Sequence, residues 1–531
     1  MSLLGSPVPT YRWMVVCLPI EIPTGDKMEK SDRTASLSRR NVLKRIVAGS
    51  LALGSLPAVA DSGARSVAAV ELSLAQRALK RSVKGTVFWK SEPGYELARG
   101  SAVWRANKPN RFPAVVVIPK DAADVVTAVR YAKKHGLKVG TRSGGHSWQS
   151  PHVRDGAMLL DLSIMQNIEV DPATQTVWTN PGVFGSAVNF ELARHGLITP
   201  TAHHIDVGIG GFVLCGGFGW NSRLWGTGSE HIVGLELVTA NGDLIEADAD
   251  RNSDFYWAAR GAGAGFFGVV TRLRLAAHPN PPVWRLSVYS YPVELLEDVF
   301  TWARGISDQV APNVELVITT SAHDDAGAWA PIRITVAALA ITDTEAEAAN
   351  GLAILDTCPV VDKAIKRRDK QPTVLVDRYV SGMLADPPGY RFACDNMYTN
   401  APASELVPKL RELFTQLPSP RSHVFWFNWA PLRHWPDMAL SVQGDIYLGA
   451  YSVWENAADD ERMERWPVEQ IRKLESLSIG GQMNDENMLA HPQRYLSEAA
   501  AARLKALRAK HDPQQMFVSY LSSWSSKDES R

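Results

Sequence analysis

Apolar positions along the chain fall into two rhythms. From Asp121 to His135, Val125, Val126, Val129 and Ala132 recur at helical spacing, which predicts an amphipathic helix with Gly136 as its C-cap. Leu74 to Lys84, Phe184 to His195 (capped by Gly196) and Glu498 to His511 read the same way. Short apolar runs predict strands at Leu137 to Val139, Met158 to Leu162, Gln175 to Thr179 and Phe267 to Leu275. Glu236 to Thr239 and Leu244 to Glu246 flank Asn241-Gly242, a hairpin signal. Asn280-Pro281-Pro282 then breaks the pattern and marks a domain boundary. Beyond it, strands are predicted at Trp284 to Tyr291, Val314 to Thr320, Ile332 to Leu339 and Ile446 to Ser452. Helices are predicted at Glu294 to Gln309, Glu345 to Thr357 and Ala403 to Gln416. Helices alternating with strands in this way suggest one sheet covered on one face. The last helix and Asp512-Pro513 are expected to return to the first domain.

Three glycine clusters interrupt the first half. The first is the loop Val139-Gly-Thr-Arg142-Ser143-Gly144-Gly145-His146-Ser147. The second runs through Val207, Gly208, Gly210, Gly211, Cys215, Gly217 and Gly219. The third spans Arg260 to Thr271 and contains Gly268 and Val269. Glycine permits close backbone approach and unusual φ angles, so such loops can aim N–H groups at a phosphate. Arg142 can add charge, and His146 ends the loop. A Walker lysine and an ordered Gly-x-Gly-x-x-Gly after a first strand are both missing, which disfavours a P-loop or ordinary Rossmann site.

These motifs resemble the flavin domain of the vanillyl-alcohol oxidase and p-cresol methylhydroxylase superfamily, and within it the berberine bridge enzyme-like oxidoreductases. The resemblance rests on Arg142 to Ser147, Leu160-Asp161-Leu162-Ser163, Asn180-Pro181-Gly182, the second cluster with Gly219-Trp220-Asn221-Ser222-Arg223, and Asp254 to Gly261. It implies an α+β fold: a two-subdomain FAD-binding domain of the p-cresol methylhydroxylase type, plus a substrate domain with an antiparallel sheet covered by helices. It implies FAD held by Arg142, Ser143, Gly144, Gly145, His146, Ser147, Val207, Gly208, Gly210, Gly211, Gly217, Gly268 and Val269, with His146 joined to the flavin 8α methyl. Relatives attached twice carry a cysteine where this chain has His204, so one attachment is expected. Cys215 does not match that position and reads as a small buried hydrophobe.

Hydride transfer from an alcohol carbon needs a base for the hydroxyl proton. Relatives often use a tyrosine following an asparagine near the end of the chain. Asn484 fits, but Asp485 stands where the tyrosine would be. The base stays open among Tyr447 and Tyr451, which share a face of one strand, and His204, Asp485 and Tyr398. No metal site is expected, because His203 and His204 are adjacent on an extended segment and point apart. Val207 resembles the oxygen-reactive relatives, whereas bulkier residues go with dehydrogenases. The expected activity is an oxidase moving a hydride from an alcohol, sugar or amine carbon to FAD and reducing oxygen to hydrogen peroxide. The alternatives are a dehydrogenase with another acceptor and a catalytically silent flavin-binding protein.

The 531 residues are 45% hydrophobic and 21% charged with zero net charge, which allows two cores and offers nothing to attract nucleic acid or an anionic membrane surface. The four cysteines, Cys17, Cys215, Cys358 and Cys394, have no metal spacing and suggest no disulfide framework. Ser38-Arg39-Arg40-Asn41-Val42-Leu43-Lys44 resembles a twin-arginine export motif. It precedes an apolar run from Ile46 to Ala60, too short to span a bilayer, that ends in Ala58-Val59-Ala60. Met28 is an alternative start. The expected division is therefore 1–60 signal region, 61–280 FAD-binding domain, 281–480 substrate domain and 481–531 return. The expected partners are a small-molecule substrate, oxygen and the twin-arginine machinery, with a periplasmic or extracellular destination and no stable membrane insertion.

Overall fold

The computed structural model describes residues 72–323, 328–431 and 434–521. The expected export signal and Cys17 lie outside the described residues. Among them, no helix is long and apolar enough to cross a membrane.

Two small sheets carry the glycine clusters. The first joins β1 (Thr86–Trp89), β2 (Val115–Ile118), β3 (Val139–Arg142) and β4 (Met158–Asp161) in the order β1-β2-β4-β3. Its β2, β4 and β3 run parallel. The second joins β5 (Ile168–Asp171), β6 (Thr176–Thr179), β8 (Ile232–Val238), β9 (Leu244–Ala247) and β10 (Val269–Ala276), antiparallel, in the order β5-β6-β10-β8-β9. Between β6 and β8, the short β7 (Leu197–Ile198) pairs with β11 (His278–Pro279).

The helix Ala122–His135 forms where periodicity placed it. Asp121 accepts from the Asp124 N–H at 3.1 Å as N-cap, and Gly136 ends it at φ 65°. Its Val125, Ala128, Val129 and Ala132 are buried against Val115, Val117, Met158 and Leu160 of the first sheet and Val238 and Val269 of the second. Each fully buried Val of this kind contributes roughly 1.5–3 kcal/mol. The hairpin β8–β9 turns at Gly242, φ 79°. The C-terminal helix, Glu498–His511, adds Leu504 and Leu507 to the core of the second sheet, and Phe517 bridges to Val139 beside the first.

A seven-stranded antiparallel sheet follows. It comprises β12 (Val283–Pro292), β13 (Val314–His323), β14 (Trp329–Thr342), β15 (Lys366–Pro372), β16 (Arg391–Thr399), β17 (His423–Asn428) and β18 (Ile446–Trp454). Their spatial order is β15-β12-β14-β13-β17-β18-β16. Period-2 alternation splits it into two faces. Leu316, Ile318, Val336, Ala338, Val424, Trp426, Leu448 and Ala450 turn into a core with helices Leu296–Gly305, Glu345–Leu352 and Asp460–Arg472. Glu315, Val317, Ala337, Leu339, Phe425, Phe427, Tyr447 and Tyr451 turn the other way, toward a cavity.

Some local expectations differ from what forms. The segment from Ala403 to Gln416 is two short helices, Ala403–Leu406 and Leu410–Thr415, around a 3₁₀ turn, because Pro408 has no N–H to donate. Strands β15, β16 and β17 went unread. β15 is a charged edge strand, which keeps other chains from pairing with it. β16 and β17 are buried on both faces, so alternation is invisible in them.

Candidate active site

The glycine loop leaves the end of β3. Arg142, expected to lend charge to a phosphate, is already paired. Its Nη1 meets Asp161 Oδ1 at 2.7 Å, and its Nη2 donates to the Gly144 carbonyl at 3.0 Å. Arg142 and Asp161 are register partners on β3 and β4, so the pair braces the loop from the sheet beneath it. Ser143 Oγ donates to the Pro181 carbonyl. The backbone N–H groups from Gly144 to Ser147 meet no acceptor among the described residues.

The second cluster crosses this loop backbone to backbone. A Cβ on Gly208 would lie 2.6 Å from Ser143 Oγ and 2.7 Å from Gly144 Cα, a spacing only glycine satisfies. Gly145 sits at φ 81°. Free N–H donors above a backbone crossing make a cradle fitted to a phosphate or pyrophosphate. The cradle opens into a cavity of about 660 Å³, within the size range of cofactor and ligand sites.

Of the residues expected around a flavin, Arg142 to Ser147, Val207, Gly208, Gly210, Gly211 and Gly268 line this cavity. Gly217 and Val269 do not. The Gly217 N–H is held at 3.0 Å by Asn484 Oδ1 behind the wall. Val269 turns into the core shared by the two small sheets, and its neighbour Val270 faces the cavity, because successive strand residues point to opposite sides. Cys215, read as a buried filler, also lines the cavity, and burial pushes its thiol up to about 12. Cys215, Cys358 and Cys394 are free thiols.

His146 lies in a knot of four side chains. Its ring stacks on Trp104 with centroids 4.5 Å apart, and its Nε2 lies 2.7 Å from Asp206 Oδ1. His204 Nδ1 reaches the same oxygen at 2.7 Å, and Trp104 Nε1 donates to Asp206 Oδ2 at 2.9 Å. His204 Nε2 faces the Asp386 carbonyl at 3.0 Å. Burial favours the neutral form of His146 more than Asp206 offsets it, so its pKa falls. For His204 burial is outweighed by Asp206 and the Asp386 carbonyl, so its pKa rises. Burial alone would raise Asp206, but the two histidines hold it well below the usual carboxylate range. Both ring nitrogens of His204 thus face oxygen acceptors, which stabilise the protonated ring. That arrangement suits His204 to holding Asp206 more than to accepting a substrate proton. His203 and His204 do point apart, His203 toward Glu315, but His146 arrives from another loop. His146, His204 and Asp206 thus bring three ligand-type atoms within 4.8 Å of one another.

A second cluster hangs from the large sheet. Tyr447 and Tyr451, four residues apart on one face of β18, both donate to Asp485 Oδ2, at 2.7 and 2.9 Å. Their hydroxyls are 2.8 Å apart. Trp148 Nε1 donates to Asp485 Oδ1 at 2.7 Å. Burial raises the Asp485 carboxyl, against the three hydrogen bonds that stabilise its anion, and raises both phenols well above their ordinary value. Tyr398 is not among them. It is fully buried behind Tyr447, with ring centroids 6.0 Å apart, and does not reach the cavity. Trp104, Trp148 and Asp386 went unread in the sequence; each is isolated there, and no spacing links it to its partner.

A glycine-lined cradle, a neighbouring histidine and a buried Asp–Tyr cluster share one cavity, on two small sheets joined to a large antiparallel one, the architecture of a p-cresol methylhydroxylase-type FAD-binding fold. A family model described as an FAD binding domain matches residues 113–248. An FAD-linked oxidoreductase of Penicillium ochrochloron is 30% identical over 427 residues, covering 80% of this chain and 94% of that one. Two solved structures share the fold. One is 6-hydroxy-D-nicotine oxidase from Arthrobacter nicotinovorans (TM-score 0.72, 22% identity, 82% of this chain and 97% of that one). The other is the BBE-like 1 protein of Physcomitrella patens (TM-score 0.74, 19% identity, 86% and 100%). The chain belongs to the FAD-linked oxidoreductases.

Proposed function

We propose that the protein is an exported oxidase that takes a hydride from an alcohol or amine carbon to FAD joined to His146, and passes the electrons to oxygen. The observation that carries this reading is the placement of two clusters in one cavity: His146 beside the glycine cradle, and Asp485 with Tyr447 and Tyr451. FAD, when bound, supplies the hydride acceptor. The N–H groups from Gly144 to Ser147 would hold its pyrophosphate, and His146 would anchor its ring. Residues 61–280 with 481–531 would then serve the flavin, and 281–480 the substrate.

The protein's own part is proton control. A substrate hydroxyl meeting the Tyr451 or Tyr447 oxygen loses its proton to it while that phenol's proton passes to Asp485 Oδ2. Burial makes Asp485 a stronger base than an ordinary carboxylate, and Trp148 fixes its orientation. Beside Glu315, the wall of Val317, Ala337, Leu339, Phe425 and Phe427 is apolar, which favours an alcohol or amine carried on an apolar body over a sugar. Val207 borders the cavity beside Gly208 and supports the oxidase over the dehydrogenase. The arginine pair Arg39-Arg40 and the apolar run after it support export by the twin-arginine route.

An absorption spectrum before and after acid precipitation tests the reading. Yellow colour that stays with the pellet, and leaves it in His146→Ala, supports attachment at His146. Colour in the supernatant of the wild type overturns the covalent link. Oxygen consumption with a panel of apolar alcohols and amines tests the activity; reduction of the flavin without oxygen uptake favours the dehydrogenase. N-terminal sequencing of the periplasmic product tests export.

A further inference from the structure

We propose that Asp206, clamped between His204 and Trp104, is a positioning residue for flavin attachment: it holds the proton of His146 on Nε2, so that Nδ1 forms the bond to the flavin. The proposal rests on the reading of His146 as the attachment point.

Two contacts orient the His146 ring, and a further pair holds the carboxylate that makes one of them. Trp104 covers its face at 4.5 Å, with the planes 26° apart. Asp206 Oδ1 stands 2.7 Å from Nε2. Asp206 is itself fixed by His204 Nδ1 at 2.7 Å and by Trp104 Nε1 at 2.9 Å. A carboxylate facing one imidazole nitrogen selects the tautomer with the proton there. The lone pair is then on Nδ1, which makes no hydrogen bond to the described residues, and His146 borders the cavity. His204 is anchored in turn by the Asp386 carbonyl at 3.0 Å. The position where doubly attached relatives carry a cysteine is thus filled here by a histidine that braces Asp206.

The chemistry balances with oxygen as the oxidant. The 8α methyl loses a proton, and the electron pair of that C–H bond enters the isoalloxazine ring. Nδ1 forms the new bond to the 8α carbon. Positive charge built on the imidazole is stabilised by Asp206, as a buried aspartate stabilises a catalytic imidazolium. The Nε2 proton is released to water once the bond is made. Dioxygen takes the two electrons together with two protons, equal in number to those given up to water by the 8α carbon and Nε2, and becomes hydrogen peroxide, which restores the oxidised flavin.

Two measurements on the full chain test this. In the first, the flavin peptide from wild-type holoenzyme is isolated and its linkage assigned by NMR. A bond at Nδ1 is expected, and a bond at Nε2 overturns the proposal whatever any variant does. In the second, wild type and Asp206→Asn are produced with FAD and compared by flavin in the acid pellet against the supernatant. The variant is expected to bind FAD with unchanged stoichiometry but release nearly all of it to the supernatant, the rate of attachment falling on the order of 10²-fold. A variant attached like the wild type overturns the proposal. Flavin in the supernatant of the wild type itself overturns the covalent reading, and the proposal with it. Stoichiometric transition metal in the purified wild type, lost on Asp206→Asn, assigns the three residues to an ion instead and overturns the proposal as well.

Discussion

Replacing Gly208 by alanine tests the cradle without touching any reactive group. Its Cβ would stand 2.7 Å from Gly144 Cα and 2.6 Å from Ser143 Oγ, where ordinary contact begins at 3.4 Å. Ser143 is held through its hydroxyl to Pro181, and Gly144 through its carbonyl to Arg142, so neither side of the crossing is slack. The loops must part by roughly 1 Å to clear the Gly144 backbone nitrogen as well, at a cost of about 1–3 kcal/mol. His146 lies two residues beyond Gly144 and moves with it. A displacement of that size is enough to lower a positioned reaction by about 10²-fold. Gly208→Ala is therefore expected to bind FAD weakly and to leave it in the supernatant after acid precipitation. Gly100→Ala is the matched control. It sits in the helix Tyr95–Ser101 with nothing within 4 Å of the new methyl, and should gain about 0.5–1 kcal/mol. The assay is flavin absorbance per protein after gel filtration, with the thermal midpoint from near-UV circular dichroism. A Gly208→Ala protein that holds and attaches flavin like the wild type would refute the crossing as the cofactor's seat.

Three other outcomes follow from the same geometry. Asp485→Asn should slow anaerobic flavin reduction by about 10²–10⁴-fold in stopped flow, while leaving reoxidation by oxygen unchanged. Because burial raises the Asp485 pKa and the base must be ionised, wild-type reduction should be lost as pH falls through that raised value, and the limb should vanish in the variant. Val207→Trp should slow reoxidation of the photoreduced flavin by air more than it slows reduction by substrate; equal effects would remove Val207 from the path of oxygen. Arg223 is buried and donates to the carbonyls of Trp429, Ala311, Val314 and Val310 at 2.8–3.2 Å. Arg223→Met leaves these acceptors empty and should cost about 3–5 kcal/mol in urea unfolding.

What the sequence determined is local or carried by contiguous motifs. The helix Ala122–His135 follows from its own spacing and caps, and the β8–β9 hairpin from Asn241-Gly242, since both are stabilised within a few residues. The loop ending at His146 was legible because glycine leaves a mark wherever backbones must touch. Strand β18 was found, but not that all of it is buried, and β16 escaped because its Asp395 and Asn396 are satisfied by His491 and Gln482, about ninety residues away. Tertiary structure alone decided the roles of charged groups. It turned Arg142 from a free cation into a brace by pairing it with Asp161 across β4, and turned His204 from a possible base into a clamp on Asp206. It also set Trp104 against His146 and brought Asp485 under Tyr447 and Tyr451. The physical reason is range. Periodicity and turn chemistry act over a few residues along the chain, whereas a proton's preference depends on which carboxylate, ring or carbonyl lies within about 3 Å, and folding draws those partners from anywhere in the sequence.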